Sequence, residues 1–386
     1  MRILHVINDL RIGGAQRLLA DLLPLQSEGN EVKLCLLEDV EDPAFLNQIR
    51  ACGAIDIEIL NPGGGKGVGN MFAIFNRLRR LIKEFDIIHV HLFPSLYYAA
   101  FASLFVGKRK RGTMIYTEHN SFNMRRNLKW AKWIERMVYS RYSSIICISR
   151  ATLNNLALWL GLSNRDSRLV QISNGVPVER FNAETSRLRR ECGDLQADRL
   201  RLFGRSGTPV LMISRFVESK DHPTLLRALR EIENRDIFAV LVGDGPRKDE
   251  FERLVRELGI EDRVVMLGSR SDITRIIALS EVGVQSSNWE GFGLTAVEMM
   301  AGGLPLIVSD VEGLSGVVDG VALKFRRGDY RELAHLIAQL ANPSEERTKM
   351  IKAGEAAAWK YDMRVMAEAY MNVYLGKLGG VKSKEK

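Results

Sequence analysis

Glu290 and Glu298 are the residues whose type and setting point most directly to chemistry in this chain. Glu290 opens the glycine-rich turn Glu290-Gly-Phe-Gly293, and Glu298 falls in the apolar run Leu294 to Ala301, where burial is expected. An ionised carboxylate inside such a run is costly unless donors satisfy it, and either an internal arginine or the hydroxyls of a sugar would serve. Gly291 and Gly293 let a ligand approach the backbone closely. The amides of Gly291, Phe292, Gly293, Leu294 and Thr295 lie at the positive end of the predicted helix dipole and attract an anion. A surface Glu290 with an arginine-paired Glu298 is the structural alternative. Taken together, the two carboxylates favour a site for a polyol joined to a phosphate.

The elements that must position these residues follow from the pattern. Leu294 to Ala301 is built of good helix formers between glycines, with Pro305 beyond. Pro209 to Ser214, Phe238 to Val242, Val264 to Leu267, Val282 to Gln285 and Pro305 to Ser309 read as buried strands. Arg215 and Lys220 flank the loop after the first of these, where two cations suit a departing diphosphate, although a surface pair is the plain reading. Asp221 is the expected N-cap of the next helix, with Pro223 in its first turn. In the amino-terminal half, Arg2 to Ile7, Glu31 to Leu37, Asp86 to His91, Thr113 to Thr117 and Ser144 to Ile148 alternate with helical stretches. This is the form of a parallel sheet covered on both faces. Gly13 and Gly14 open a loop that presents amides to a diphosphate or forms a simple turn. Pro62 to Gly69 is a glycine-rich loop around a ligand or a solvated connector. His119 follows a strand, either as a functional donor or as a hydrogen-bonded loop histidine.

Composition narrows the partners. The net charge of +8 suits an acidic one: a nucleotide, a phosphorylated lipid, an anionic membrane or a nucleic acid. The densest basic stretch is Lys108-Arg-Lys-Arg111 with Arg125, Arg126, Lys129, Lys132, Arg136 and Arg141, interleaved with Trp130, Trp133 and Tyr139. That mixture fits an anionic membrane, a pyrophosphate acceptor or a solvated helix face, and no nucleic-acid module accompanies it. Scattered cysteines argue against zinc and disulfides, and neither a DxD motif nor a histidine cluster offers a metal a home. No run approaches a membrane span or a signal peptide, so a cytoplasmic protein is expected.

The spacing Glu290, seven residues, Glu298, with Gly-Phe-Gly directly after the first glutamate, resembles the signature of the family 4 glycosyltransferases. The resemblance implies the GT-B fold: two doubly wound, Rossmann-like α/β domains facing a central cleft. Domains are expected at 1–185 and 186–360, joined by an irregular linker from Phe181 to Gly207, with a terminal helix at 361–386 packing back on the first domain. By the same resemblance, Glu290 contacts the donor sugar, Glu298 the nucleotide ribose, His119 lies close to that sugar, and Arg215 with Lys220 binds the diphosphate. The loop Gly268 to Asp272 lies near the nucleobase, with Gly243 and Gly268 as backbone contacts and Arg270 as a base neighbour or a solvent-facing residue. Family members often carry a glutamate where this chain reads Gly313-Leu-Ser-Gly-Val-Val318, a peripheral departure.

The expected reaction moves a sugar from a nucleotide diphosphate sugar, a UDP-hexose or UDP-N-acetylhexosamine, to a hydroxyl of a glycan or lipid-linked acceptor with retention. The nucleotide sugar is a co-substrate; no cofactor or metal is required. Peripheral contact with the inner face of the plasma membrane is part of this expectation, and nucleic acid is not. The rival readings are a sugar-nucleotide epimerase or hydrolase on the same fold, and a non-catalytic binding protein of a membrane assembly.

Overall fold

The structure is a computed structural model describing residues 1–11, 13–39, 43–62, 68–107, 111–120 and 130–378. Most of the Pro62 to Gly69 loop lies outside them, as do Lys108 to Lys110, Arg125, Arg126, Lys129 and the lysine-rich tail.

The chain forms two compact units, residues 1–175 with 363–386, and residues 176–362. In the first, seven parallel strands run in the order β3-β2-β1-β4-β5-β6-β7. They are β1 (Arg2–Ile7), β2 (Glu31–Leu36), β3 (Ile55–Ile59), β4 (Ile87–His91), β5 (Thr113–Glu118), β6 (Ser144–Cys147) and β7 (Leu169–Gln171). In the second, six parallel strands run β10-β9-β8-β11-β12-β13. They are β8 (Thr208–Ile213), β9 (Ile237–Val242), β10 (Val264–Gly268), β11 (Val282–Gln285), β12 (Leu306–Ser309) and β13 (Leu323–Phe325).

Strand period two sorts the first unit's core into two layers. Leu4, Val6, Ile88, Val90, Met114 and Tyr116 face one side. Ile3, Ile7, Ile87 and Ile115 face the other, under the Gly14–Ser27 helix and the terminal Met363–Tyr374 helix. His5, His89 and His91 share the parity of this second layer, since His5 pairs with His89 in register.

Two expectations need correction. The stretch Phe181 to Gly207 is not an irregular linker: Val178–Glu191 and Leu195–Phe203 are helices of the second unit. Its arginines, glutamates and leucines are good helix formers, and its glycines only punctuate. Asp194 caps the second helix through the amides of Gln196 and Ala197, and left-handed Gly204 ends it. The chain crosses between units at Gly175–Val176 and again at Asp362–Met363. Val176 N–H donates to Tyr361 O at 2.8 Å, so the two ends of the second unit lie side by side. The strands β3, β7 and β13 were also missed; β7 and β13 have three residues each, too few for a periodic signal.

Candidate active site

Doubly wound sheets bind ligands beyond the carboxyl ends of their strands, where the strand order reverses. In the second unit this point lies between β8 and β11, and the loops leaving these strands carry Arg215, Lys220 and Glu290. The loops are tied together. Ser286 Oγ–H donates to Asp221 O at 2.9 Å, Asn288 N–H to Ser219 O at 2.8 Å, and Asn288 Nδ2 to Glu218 O at 2.9 Å. Gln285 Nε2 bridges Ile213 O at 3.2 Å and Thr295 Oγ1 at 2.7 Å, joining the strand ends to the start of the Leu294–Ala301 helix. Gln285, Ser286 and Asn288 carry no signal in the sequence. Ser286 and Asn288 are short side chains in a loop and Gln285 ends β11, and composition alone marks none of them.

Lys220 Nζ and Glu290 Oε2 form an ion pair with both side chains mostly buried. Ser287 Oγ approaches the same carboxylate at 3.4 Å and Gly291 N–H the other oxygen at 3.2 Å. Arg215 is exposed in the same loop as Lys220 and makes no side-chain ion pair among the described residues. Asp221, between Lys220 and the His222–Glu231 helix, takes a left-handed conformation at φ 48°, ψ 51°. A non-glycine residue pays for that geometry, and such strain gathers at ligand-holding loops. Asp221 stands at the N-cap position, accepting from Thr224 Oγ1 at 2.6 Å.

Glu298 is buried within its helix, 3% exposed, as its apolar neighbours predict. The turn before it is closely covered. Gly293 is left-handed at φ 90°, and a Cβ there would collide with Leu314; a Cβ on left-handed Gly313 would strike the carbonyl oxygen of Glu290. The weakly patterned segment after β12 therefore packs on the Glu290–Gly293 turn. Phe292 points inward, edge-on to Tyr361 with centroids 5.3 Å apart, so it offers its backbone and not its ring. Leu294 and Thr295 are partly exposed at the helix start, whose amides lack an acceptor four residues back.

Gly243 and Gly268 meet each other, since Gly243 N–H donates to Gly268 O at 2.9 Å. The expected backbone donor at Gly243 is thus engaged within the protein. A Cβ on it would strike Ser214 O, so its role is to let β9 close against the Arg215 loop. Arg270 is solvent-facing and pairs with Asp272 at 2.7 Å. His222, unnoticed in the sequence, lies under the same loop, 3.0 Å from Ser214 Oγ and stacked on Phe251; burial pulls its pKa down to about 3.

The first unit has its own reversal point, between β1 and β4. Asn8 Oδ1 there accepts from Ser95 N–H at 3.1 Å and Ser95 Oγ at 2.6 Å, joining the two loops. Gly13 is extended and Gly14 begins the helix, while Asp9 holds the loop through Arg11 at 2.8 Å. His119 sits partly exposed just beyond β5. Behind it stand three wholly buried imidazoles, correcting the reading that no histidine cluster exists. The ligand atoms of His5, His89 and His91 lie within 4.8 Å of one another, a grouping that can hold a metal ion. Their ring nitrogens are already engaged. His5 meets Gln26 at 2.7 Å and His91 at 3.0 Å; His89 meets Tyr374 at 2.6 Å and Thr117 at 2.7 Å; His91 meets His119 at 3.2 Å. Binding a metal would break several of these bonds. Desolvation lowers the pKa of His5 and of His119 to about 4, and those of His89 and His91 well below the ordinary value, so the set is neutral. The sequence signal was His-Val-His on a strand otherwise apolar on both faces.

The model of the Glycosyltransferase Family 4 domain matches residues 12–180, and that of Glycosyl transferases group 1 matches residues 206–357. The chain is a family 4 glycosyltransferase of the GT-B fold. This glycosyltransferase is 26% identical over 396 residues to the putative glycosyltransferase EpsF of Bacillus subtilis, covering 97% of this chain and 96% of that protein. It is 27% identical to the phosphatidyl-myo-inositol mannosyltransferase of Mycobacterium leprae over 78% of this chain and 77% of that protein. The fold is similar to that of Anabaena HepE, crystallised with UDP and glucose, at a TM-score of 0.81 and 22% identity over 98% of this chain and 100% of that one.

Proposed function

We propose that the enzyme moves a hexosyl or N-acetylhexosaminyl unit from a UDP-sugar to a hydroxyl of a glycan or lipid-linked acceptor, with retention of configuration. The observation that carries the reading is the Lys220–Glu290 ion pair at the sheet's reversal point, set against a helix start with buried Glu298 one turn in. Expelling a nucleoside diphosphate requires its developing charge to be neutralised. Lys220, exposed Arg215 and the helix amides supply that; Glu290 accepts hydrogen bonds from the sugar and Glu298 from the ribose, and His119 is proposed as a further sugar contact. The complex of HepE with UDP and glucose supports a UDP-hexose. Retention without a protein nucleophile implies attack on the face the diphosphate leaves, with a phosphate oxygen taking the acceptor's proton. An inverted product by NMR, or a covalent glycosyl-Glu290, would end that mechanism. Release of free or epimerised sugar with no acceptor present would favour the hydrolase or epimerase reading.

The donor site is tested by thermal shift with UDP, GDP, ADP and CMP. UDP is expected to stabilise the wild type, and Glu298→Ala to weaken it by about tenfold or more, through loss of a charged acceptor. Equal response to all four nucleotides, unchanged in the variant, would remove Glu298 from the site.

For the acceptor side, no helix among the described residues is long and apolar enough to cross a membrane. The Ala131–Tyr139 helix buries Ala131, Glu135 and Val138, while Trp133 is 76% and neighbouring Trp130 65% exposed. Its described cations are partly occupied: Lys132 lies over Trp159, and Arg136 donates to Leu160 O at 2.6 Å. We therefore assign peripheral contact with a cytoplasmic anionic membrane to the tryptophans more than to these charges, and the name of the mannosyltransferase relative supports a lipid-linked acceptor. Replacing Trp130 and Trp133 with alanine should lower sedimentation with anionic vesicles by about tenfold. Equal sedimentation of wild type with neutral vesicles and none at all would remove the membrane from the reading.

A further inference from the structure

The buried histidines form a line that ends at His119, and its hydrogens run one way. Gln26 starts it. An amide oxygen only accepts, so Gln26 Oε1, 2.7 Å from His5 Nε2, requires a proton on that nitrogen. A neutral His5 then has a lone pair on Nδ1, and His91 Nε2, 3.0 Å away, must donate to it. His91 in turn is left with a lone pair on Nδ1, which accepts from His119 Nε2–H at 3.2 Å. The second branch is compatible with the same direction: Gln26 Nε2 donates to Tyr374 Oη at 3.2 Å, which leaves the Tyr374 hydroxyl hydrogen for His89 Nδ1 and the His89 Nε2 proton for Thr117.

Turning the Gln26 amide over would reverse the first branch and the Gln26–Tyr374 bond, and the distances oppose it. The 2.7 Å contact would become an amide nitrogen against a ring nitrogen, which is short, and the 3.2 Å contact a hydroxyl against a carbonyl, which is long. We infer that Gln26, His5 and His91 are positioning residues that hold the proton of His119 on Nε2 and leave Nδ1 as a lone pair for the substrate; the substrate part rests on the role proposed for His119 above. His119 would then accept a hydrogen from a sugar hydroxyl, where the sequence had pointed to a donor. Burial of Gln26, His5 and His91 keeps the two inner imidazoles neutral and so preserves the direction of the line.

The test has an arm independent of activity. Long-range nitrogen–proton NMR of ring-labelled full-length protein should place the proton of His5, His91 and His119 on Nε2, with nitrogen–nitrogen coupling across the His119–His91 bond. A proton on Nδ1 of any of the three overturns the assignment, as does stoichiometric zinc binding that is lost in His5→Gln. In kinetics, His91→Leu should lower kcat about tenfold with KM little changed. His91→Gln should retain most of the rate, because its amide accepts from His119 and donates to His5. A wild-type rate in folded His91→Leu overturns the positioning role. A wild-type rate in His119→Ala overturns the substrate part while the NMR result stands, which separates this inference from the functional reading beneath it.

Discussion

Replacing Lys220 with alanine is expected to lower the transfer rate by about a hundred- to a thousandfold, the usual loss when a group that stabilises developing charge is removed. The loop should survive the change. Its backbone is held by Ser286 and Asn288, not by the lysine side chain, so the site keeps its shape while losing its cation. The partner matters as well, because Glu290 is mostly buried and would be left facing the diphosphate with no neutralising ion pair from Lys220. Lys220→Arg should recover only part of the rate, since a planar guanidinium does not replace a compact ammonium in a site closed on several sides. Initial rates with a UDP-sugar, measured beside circular dichroism, decide the matter. A folded Lys220→Ala enzyme of normal rate would reduce Lys220 to a structural partner of Glu290.

Acidification should weaken the first unit before the second. Burial lowers His5 and His119 to about 4 and holds His89 and His91 well below their ordinary value, against about 6.5 in the unfolded chain. A lowered folded pKa means that the unfolded state binds protons the native state refuses. The stability held by these groups is therefore complete above pH 6.5 and is lost progressively as pH falls towards the folded values. Each such histidine contributes a slope of about 1.4 kcal/mol per pH unit in that window. The first unit has four and the second has His222, whose pKa is about 3. Calorimetry from pH 7 to pH 5, above most carboxylate titrations, should show the first unit's transition moving down faster, and His5→Gln should flatten it. Identical shifts in both transitions would mean the histidines are not buried neutral in solution.

Much of this was legible in the chain because parallel strands buried on both faces are written as plain apolar runs, and because the helix bearing Glu298 is bounded by glycines on either side. The Lys220–Glu290 pairing was not legible, since 70 residues separate its members and only the order of β8 and β11 brings them together. The histidine line was missed for a similar reason: its members come from β1, β4 and the end of β5, and no local spacing links them. The linker was misplaced because glycines at 193 and 204 look alike in sequence whether they end helices or open a loop. In sequence Asp221 is an ordinary cap, and its left-handed backbone has no signature in an aspartate followed by histidine and proline.

The double crossing of the chain fixes an order of assembly during synthesis. Residues 176–362 are one continuous stretch whose ends meet through Val176 and Tyr361, so the second unit is complete once that stretch has left the ribosome. The first unit is then still unfinished, because Tyr374, which caps the buried imidazoles through His89 and Gln26, follows the second unit in the chain. Until it arrives, the polar layer under the Met363–Tyr374 helix lacks its cover, so of the two units the one begun earlier closes later.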